Sequence, residues 1–354
     1  MIEDYEHYQV VLYCTIFLVA NSLFLVNYVR EENFRLIFAI LSAFIVGIIF
    51  GLRSNNIGLD SRNYADFFDG VDLIQGSPGF SLIAIFFRFF FSDYSVFFVL
   101  VSIMSNLFMV IGLRFFSKNY LFVYGLLLTS FAFLNMNINI IRQGLAVSLV
   151  IFSTGLLVSH RYTSSLIVTF VAASIHPTAI LMAANVFLIN KPISMRSGFL
   201  LIAGISLLAI YSMLDLINAL ADMSEVIRRY VWYFYWDRVS PWRIKHVYYG
   251  IFSLIGLLFL FRSKISWEIH RVLMYVIYGV VLLLLFKSEE MVADRIFFYF
   301  IPIIPVLLYY AITRFNPNRY PIYVLVVLSN LWLLKTMFYQ YPNWFIPPFE
   351  SVRL

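Results

Sequence analysis

Charged residues are scarce along this chain. They make up 12% of its 354 residues, whereas roughly a quarter of the residues are charged in an ordinary soluble domain. Hydrophobic residues make up 62%, and the apolar runs follow one another without a long polar tract between them. This composition excludes the soluble globular class and predicts an all-α, polytopic membrane protein. We expect one integral membrane domain that covers residues 1–354.

Cysteine and metal-binding patterns are also lacking. Cys14 is the single cysteine, so no disulfide can form within the chain, and the five histidines are scattered without metal-ligand spacing. The acidic residues from Asp60 to Asp72 include no strict Asp-x-Asp pattern, which argues against a divalent metal that holds a nucleotide sugar. We therefore expect neither a metal nor a cofactor.

The apolar runs predict about eleven or twelve membrane-spanning helices with both termini outside. A shorter run, 79–91, contains Arg88 and predicts a re-entrant or interfacial helix, because it is too short to cross a bilayer. The longest polar interval, 215–246, predicts an outer loop. The predicted spans are 10–29, 34–50, 94–113, 120–136, 143–158, 163–189, 198–214, 247–261, 272–286, 296–312 and 321–337.

Aromatic residues are concentrated in that outer loop, between Tyr230 and Trp242. They either stack on sugar faces or lie in the headgroup layer, and the interfacial belt is the commoner arrangement. Basic residues alternate with these aromatics, as in proteins that bind single-stranded nucleic acid, but the loop faces the membrane. No nucleic acid is therefore expected as a partner.

The run 163–189 has two interpretations, because it holds His176 and Pro177 at its middle and proline interrupts a helix. As a hairpin, the run carries His176 to the outer face and returns to the cytoplasm. As one kinked span, it inverts everything that follows. The excess of basic residues in the short loops that would then be cytoplasmic favours the hairpin.

The stretch 51–68, GLRSNNIGLDSRNYADFF, collects polar residues directly after the second predicted span. Gly51 and Gly58 permit tight turns around Arg53. In a protein with so few charges, we expect function to begin at this membrane surface. The polar residues of interest are Arg53, Asp60, Arg62, Tyr64 and Asp66.

Two further arginines stand near predicted helix ends. Arg142, followed by Gln143, opens a span, and the free amides and partial positive charge of a helix N-terminus suit a phosphate group. Arg295 and Tyr299 are four residues apart, which predicts that they share one helix face. Snorkelling at the interface is the alternative for Arg142, and a surface pair with Asp294 is the alternative for Arg295.

His176 is a candidate general base, since its ordinary pKa lies near neutrality. A lone histidine in an apolar run is often only a hydrogen-bonded core residue. The proline beside it favours function, because irregular backbone at membrane depth occurs where it is buried in protein or lines a wet cavity.

Four segments and two later residues resemble, in order, the EpsG-like branch of the Wzy-type bacterial polysaccharide polymerases. The resemblance extends over nearly the whole chain. The segments are GLRSNNIGLDSRNYADFF, NINIIRQGLAVSL, SIHPTAIL and DRIFFYF, and the residues are Trp344 and Pro347.

The resemblance implies a metal-independent glycosyltransferase, an O-antigen polymerase of lipopolysaccharide biosynthesis. It would work at the outer, periplasmic face of the bacterial cytoplasmic (inner) membrane. Such an enzyme transfers the growing glycan from undecaprenyl pyrophosphate to the next lipid-linked repeat unit. The implied partners are the undecaprenyl-pyrophosphate-linked oligosaccharide, the lipid bilayer and a chain-length regulator protein.

We assign the site residues as a hypothesis. Arg53, Arg142 and Arg295 would bind the donor pyrophosphate and stabilise its charge as it leaves. Either Asp60 or His176 would take the proton of the acceptor hydroxyl. The predicted substrate-binding residues are Arg62, Tyr64, Gln143 and Tyr299.

Three rival functions stay open. An O-antigen ligase uses the same donor with a lipid A core acceptor, and the order of the motifs favours the polymerase over it. A membrane O-acetyltransferase would fit a multispan catalytic histidine but fits the outward arginines less well. A lipid-linked oligosaccharide flippase should carry charges through the middle of several spans and a two-fold repeat, neither of which the sequence displays.

Overall fold

The computed structural model describes residues 5–58, 60–70, 77–185, 267–286, 290–315 and 320–335. Across these residues every regular element is a helix, which confirms the predicted all-α class. Among the described helices four, α1, α2, α5 and α8, are long and apolar enough to cross a membrane. The α-helices, in chain order, are α1 (Tyr5–Val26), α2 (Glu32–Gly51), α3 (Ser61–Asp69), α4 (Pro78–Phe90), α5 (Tyr94–Phe116), α6 (Tyr120–Leu128), α7 (Phe131–Ile138), α8 (Ile141–Val158), α9 (Tyr162–Ile175), α10 (Trp267–Leu285), α11 (Glu290–Phe297), α12 (Ile304–Phe315) and α13 (Tyr320–Lys335).

The chain forms two compact units. The first comprises Met1–Ala183 with Ile312–Leu354, and the second comprises Ala184–Ala311. Within the first unit, α13 joins α1 through the reciprocally hydrogen-bonded side-chain amides of Asn21 and Asn330. A division into compact units does not establish the number of domains, so a single integral membrane domain stays a prediction.

Small residues let α2 lie directly against α5. Ala39, Ala43, Gly47 and Gly51 recur every fourth residue on one face of α2, and all four are buried. A Cβ atom added at Gly51 would lie 2.2 Å from the Cα atom of Val99. Gly51 therefore serves helix packing in the manner of small-xxx-small membrane pairs, and our prediction that it forms a turn beside Arg53 is wrong.

The helices of the first unit have two distinct ends. Gly51 meets the first turns of α5, and Glu32 at the start of α2 pairs with Arg114 near the end of α5, so α2 and α5 are antiparallel. Gly155 near the end of α8 contacts Phe115, so α8 begins beside the start of α5. We call the end where α2 finishes and α5 and α8 begin the arginine end.

The predicted span 120–136 is not one continuous helix. It is divided into α6 and α7, which are bent by 73° relative to each other. The hydroxyls of Thr129 and Ser130 donate to the carbonyls of Leu126 and Leu127, and the Ser130 hydroxyl accepts from the N–H of Phe133. These side chains end one helix and cap the next, because they offer the backbone partners outside the helical ladder.

The helix α4 agrees with the prediction of a short helix in 79–91. It has 13 residues, fewer than the roughly 20 that cross a bilayer. One face, including Phe80 and Ala84, is buried, and the other exposes apolar side chains such as Leu82 and Phe89. Such a face suits a helix that contacts lipid without spanning it.

The second half of 163–189 cannot be followed to its end. α9 stops at Ile175, and a 3-10 helix, Pro177–Ala184, follows it. The return arm of the proposed hairpin is described only up to residue 185, so the choice between the hairpin and one kinked span stays open. The predicted spans 198–214 and 247–261 and the outer loop 215–246 also lie outside them, so the count of eleven or twelve crossings stays a prediction.

Candidate active site at one end of the helix bundle

Most of the predicted site residues belong to the first unit and lie at its arginine end. Arg53 and the residues after it follow the end of α2, and Arg142 and Gln143 open α8. His176 follows the end of α9, which packs against the first turn of α4. Arg295 and Tyr299 belong to the second unit.

Arg53 is fully buried just beyond α2. Its Nη1 donates to the carbonyl of Phe50 at 2.6 Å, its Nε donates to the hydroxyl of Ser61 at 3.1 Å, and its guanidinium carbon lies 4.5 Å from the centre of the Phe98 ring. Burial lowers the pKa of Arg53 to about 10, so it remains charged at neutral pH. In the described part of the chain no carboxylate pairs with Arg53, and its Nη2 has no hydrogen-bond partner.

Ser61 joins this arginine to the turn between α7 and α8. Its hydroxyl lies 2.6 Å from the carbonyl of Ile57 and 3.3 Å from that of Ile138, and it donates to one or shares its proton between them. Gly58 has φ +105°, and a Cβ atom there would lie 2.6 Å from the Ser61 hydroxyl and 3.0 Å from the Ile138 carbonyl. The predicted tight turn at Gly58 is confirmed, and it places the loop against the end of α7.

The three predicted residues around α3 have different environments. Asp60 precedes the helix and is half-buried, and its carbonyl accepts from the N–H of Tyr64. Arg62 is exposed. Tyr64 is buried, and its ring centre lies 5.8 Å from that of Phe80. Arg62 is therefore accessible to a ligand, whereas Tyr64 contributes mainly packing.

Arg142 lies in the first turn of α8, as predicted. Its Nη1 donates to the hydroxyl of Ser77 at 2.7 Å. Its Nε is buried without a hydrogen-bond partner among the described residues, and no carboxylate there pairs with it. Gln143, the next residue, is buried. Unlike Arg53, the Arg142 side chain is partly exposed, so it can contact a ligand.

His176 closes α9 at the same end. The ring is buried, and its Nδ1 lies 2.7 Å from the hydroxyl of Thr178. Two residues earlier, Ser174 packs so tightly on Gly79 that a Cβ atom at the glycine would lie 2.1 Å from its hydroxyl. The first turn of α4 therefore contacts the end of α9 beside His176, while Ser77, which precedes it, contacts Arg142.

At the opposite end of the bundle, two arginines are paired with a carboxylate. Arg35 and Arg114 both pair with Glu32, at 3.3 and 3.0 Å. At the arginine end, Arg53 and Arg142 are instead held by serine hydroxyls, which accept a hydrogen bond without cancelling the charge. Among these four arginines, the positive charge is therefore neutralised at the opposite end and left unneutralised at the arginine end.

The second unit corrects one expectation about Arg295 and Tyr299. Helix α11 ends at Phe297, so the two residues do not share a helix face. Pro302 lacks the N–H that would bond the carbonyl four residues before it, and tighter turns replace the α-helix there. Tyr299 is fully buried, and its carbonyl accepts from the hydroxyl of Tyr275 at 2.8 Å.

No group of three His, Cys, Asp or Glu side chains in the described ranges is arranged to hold a metal ion. The groups that carry chemistry at the arginine end are guanidinium, carboxylate, imidazole, amide and hydroxyl. Groups of these kinds can bind an anion and transfer a proton, which are the two requirements of a transfer reaction with a phosphate leaving group.

The sequence interpretation missed Ser61 and Ser77. Ser77 and Pro78 form a typical start of a helix, which the sequence could have revealed. The contact between Ser77 and Arg142 joins residues 65 positions apart. No local pattern indicates such a pair.

Comparison with known proteins identifies the family. The model of the EpsG family matches residues 36–349, a range that includes every predicted site residue. No curated protein and no solved structure matches the chain. The chain therefore belongs to the EpsG family, the family of membrane polysaccharide polymerases that its motifs resemble.

Proposed function

We propose that this protein is an O-antigen-type polysaccharide polymerase. It transfers the growing glycan from undecaprenyl pyrophosphate to the next lipid-linked repeat unit at the periplasmic face of the inner membrane, without a metal. Membership of the EpsG family supports the general class. Transfer from a pyrophosphate-linked donor is supported by one observation. No carboxylate within the described residues neutralises Arg53 or Arg142.

An unneutralised arginine near a bilayer is costly, so it is usually paired or used. Arg53 offsets part of this cost through the carbonyl at the end of α2 and the Phe98 ring. Arg142 has only the Ser77 hydroxyl among its described partners. A pyrophosphate would supply the missing negative charge, and arginine–phosphate hydrogen bonds are among the strongest in proteins.

The reaction follows from these groups. The acceptor hydroxyl oxygen attacks the anomeric carbon of the donor glycan, and the bond between that carbon and the pyrophosphate oxygen breaks. The electron pair leaves with the lipid pyrophosphate, and Asp60 or His176 takes the hydroxyl proton. Arg142 contacts the departing pyrophosphate, and stabilisation of this kind is worth roughly 3–4 kcal/mol per donor.

The remaining residues have supporting roles in the proposal. Arg53 is buried and bonded to Ser61, so it does not contact the substrate directly. Its positive charge attracts the pyrophosphate from a distance, and its hydrogen bond holds the loop that carries Asp60. Arg62 is exposed and orients the sugars, and the buried side chains of Gln143 and Tyr64 support the site from within the bundle. Arg295 and Tyr299 belong to the second unit, and their roles as a phosphate contact and a substrate-orienting residue stay predictions from the sequence.

The first experiment compares surface glycan from cells that lack the gene with glycan from cells that carry it. For a polymerase, the ladder collapses to lipid bearing one repeat unit. Complete loss of the ladder would instead indicate a ligase or a flippase, and an unchanged ladder would indicate acetyl transfer or another modification.

Arginine variants then test whether Arg142 binds the pyrophosphate. Complementation with Arg142→Ala or Arg142→Lys should fail to restore long chains, because lysine cannot reproduce bidentate phosphate binding. Arg30→Ala, a change of an exposed arginine between α1 and α2, is the matched control and should restore them. Full polymer output with Arg142→Lys would remove the bidentate role.

A further inference from the structure

Ser77 holds Arg142 by the one hydrogen bond that arginine makes to a described side chain. The distance from Nη1 to the hydroxyl oxygen is 2.7 Å. Ser77 itself is 2% exposed, so water does not compete freely for its oxygen. The contact joins the start of α4 to the start of α8.

The hydroxyl of Ser77 is not used in the ordinary way. A serine before a helix usually accepts a hydrogen bond from an N–H of the first turn. Ser77 makes no such bond to α4, and the next residue, Pro78, has no N–H to offer. The Ser77 hydroxyl oxygen instead accepts a hydrogen bond from Arg142.

Packing fixes the position of Ser77. Gly79, two residues later, lies against Ser174 of α9 without room for a side chain. The N–H of Ser81 also bonds the Ser77 carbonyl at 3.0 Å. The oxygen that meets Arg142 is therefore part of a rigid first turn.

We infer that Ser77 is a positioning residue for Arg142. It orients the guanidinium toward a phosphate group, and it does so without neutralising the charge. This inference rests on the proposed function of Arg142 as the pyrophosphate contact. A carboxylate at this position would hold the arginine as firmly but would occupy the charge that the anion needs.

Four variants of the full-length protein test the inference in a polymerisation assay with lipid-linked repeat units. Ser77→Ala should reduce kcat/KM about tenfold or more, the effect of losing one hydrogen bond to a charged group. Ser77→Thr keeps the hydroxyl and should retain most of the activity. Ser77→Asp should lose activity although its side chain still bonds Arg142. Ser81→Ala is the matched control, because its hydroxyl bonds only the Ser77 carbonyl and the backbone bond remains.

A double-mutant cycle separates positioning from a structural role. Ser77→Ala should add nothing to the loss caused by Arg142→Ala, because both changes remove the same contribution. An independent, additive loss would overturn the inference. Equal activities for Ser77→Ala and Ser81→Ala would also overturn it.

Thermal unfolding with inorganic pyrophosphate provides a readout that does not require polymerisation. Pyrophosphate should raise the melting temperature of the wild type and of Ser81→Ala, but much less that of Ser77→Ala and Arg142→Ala. If this pattern appears in a protein that makes no polymer, the polymerase proposal fails and the role of Ser77 stands. If the wild type neither polymerises nor responds to pyrophosphate, both are wrong.

Discussion

Asn106 of α5 donates a hydrogen bond from Nδ2 to Oδ1 of Asn137 of α7 at 3.0 Å. Both side chains are buried, and the Tyr124 hydroxyl of α6 donates to Oδ1 of Asn106 at 2.7 Å. The bend between α6 and α7 places a polar triad inside an apolar bundle. The triad links three helices, including the one that leads to Arg142.

Tyr124→Phe should lower the free energy of unfolding by about 1 kcal/mol, the usual value for a side-chain hydrogen bond within a membrane bundle. Thermal unfolding in detergent measures the change. In an Asn106→Leu background the same substitution should have almost no effect, since the acceptor is already gone. A loss that persists in that background would assign the effect to packing of the ring.

Ser61→Ala should lower the free energy of unfolding by about 1–3 kcal/mol, because it leaves the buried Nε of Arg53 without its acceptor. Ser102→Ala is the control. Ser102 is equally a buried serine, but its hydroxyl has no partner among the described residues, so its removal should be neutral or stabilising. Equal destabilisation by the two changes would argue against the importance of the Arg53 contact.

Gly51→Ala should lower the melting temperature, because the new methyl group would lie 2.2 Å from the backbone of Val99 and the helices must separate. Overpacking of this kind costs about 1–3 kcal/mol. Ile48→Ala, a change of a residue that is 39% exposed on α2, should have a smaller effect. Unfolding of the two variants in the same detergent compares them, and a stable Gly51→Ala variant would contradict the close approach.

Asp60→Asn and His176→Gln test the two candidate bases. The variant that lacks the true base should remain folded, and its kcat should fall by a factor of about 10²–10⁴. Asp69→Asn, a change of an exposed carboxylate at the end of α3, should keep full activity. Full activity in both Asp60→Asn and His176→Gln would remove both candidates.

Features that depend on local chemistry could be predicted from the sequence. Long apolar runs indicated the four described helices that are long and apolar enough to cross a membrane, and the proline after His176 correctly indicated an interruption. Arg142 falls in the first turn of a helix, as its position before an apolar run predicted. The backbone of these segments is determined by nearby residues and by the membrane.

Features that depend on distant partners could not be predicted. Ser77 holds the Arg142 side chain from 65 positions away, and nothing near Arg142 in the sequence indicates this partner. The break at Thr129 and Ser130 could not be predicted either, because serine and threonine hydroxyls also bond preceding carbonyls within the unbroken helix α8. Glycines at 47 and 51 were available as a packing signal, but their partner helix was not evident.

The close pairing of α2 and α5 has a mechanical consequence. Arg53 stacks on Phe98 at one end, Gly51 contacts Val99 nearby, and Glu32 pairs with Arg114 at the other end. The two helices therefore form a strut that resists sliding and hinging along its length. If admitting a lipid-linked glycan requires opening, we expect spin labels on α2 and α5 to keep their separation. The strut would then stay fixed during the catalytic cycle.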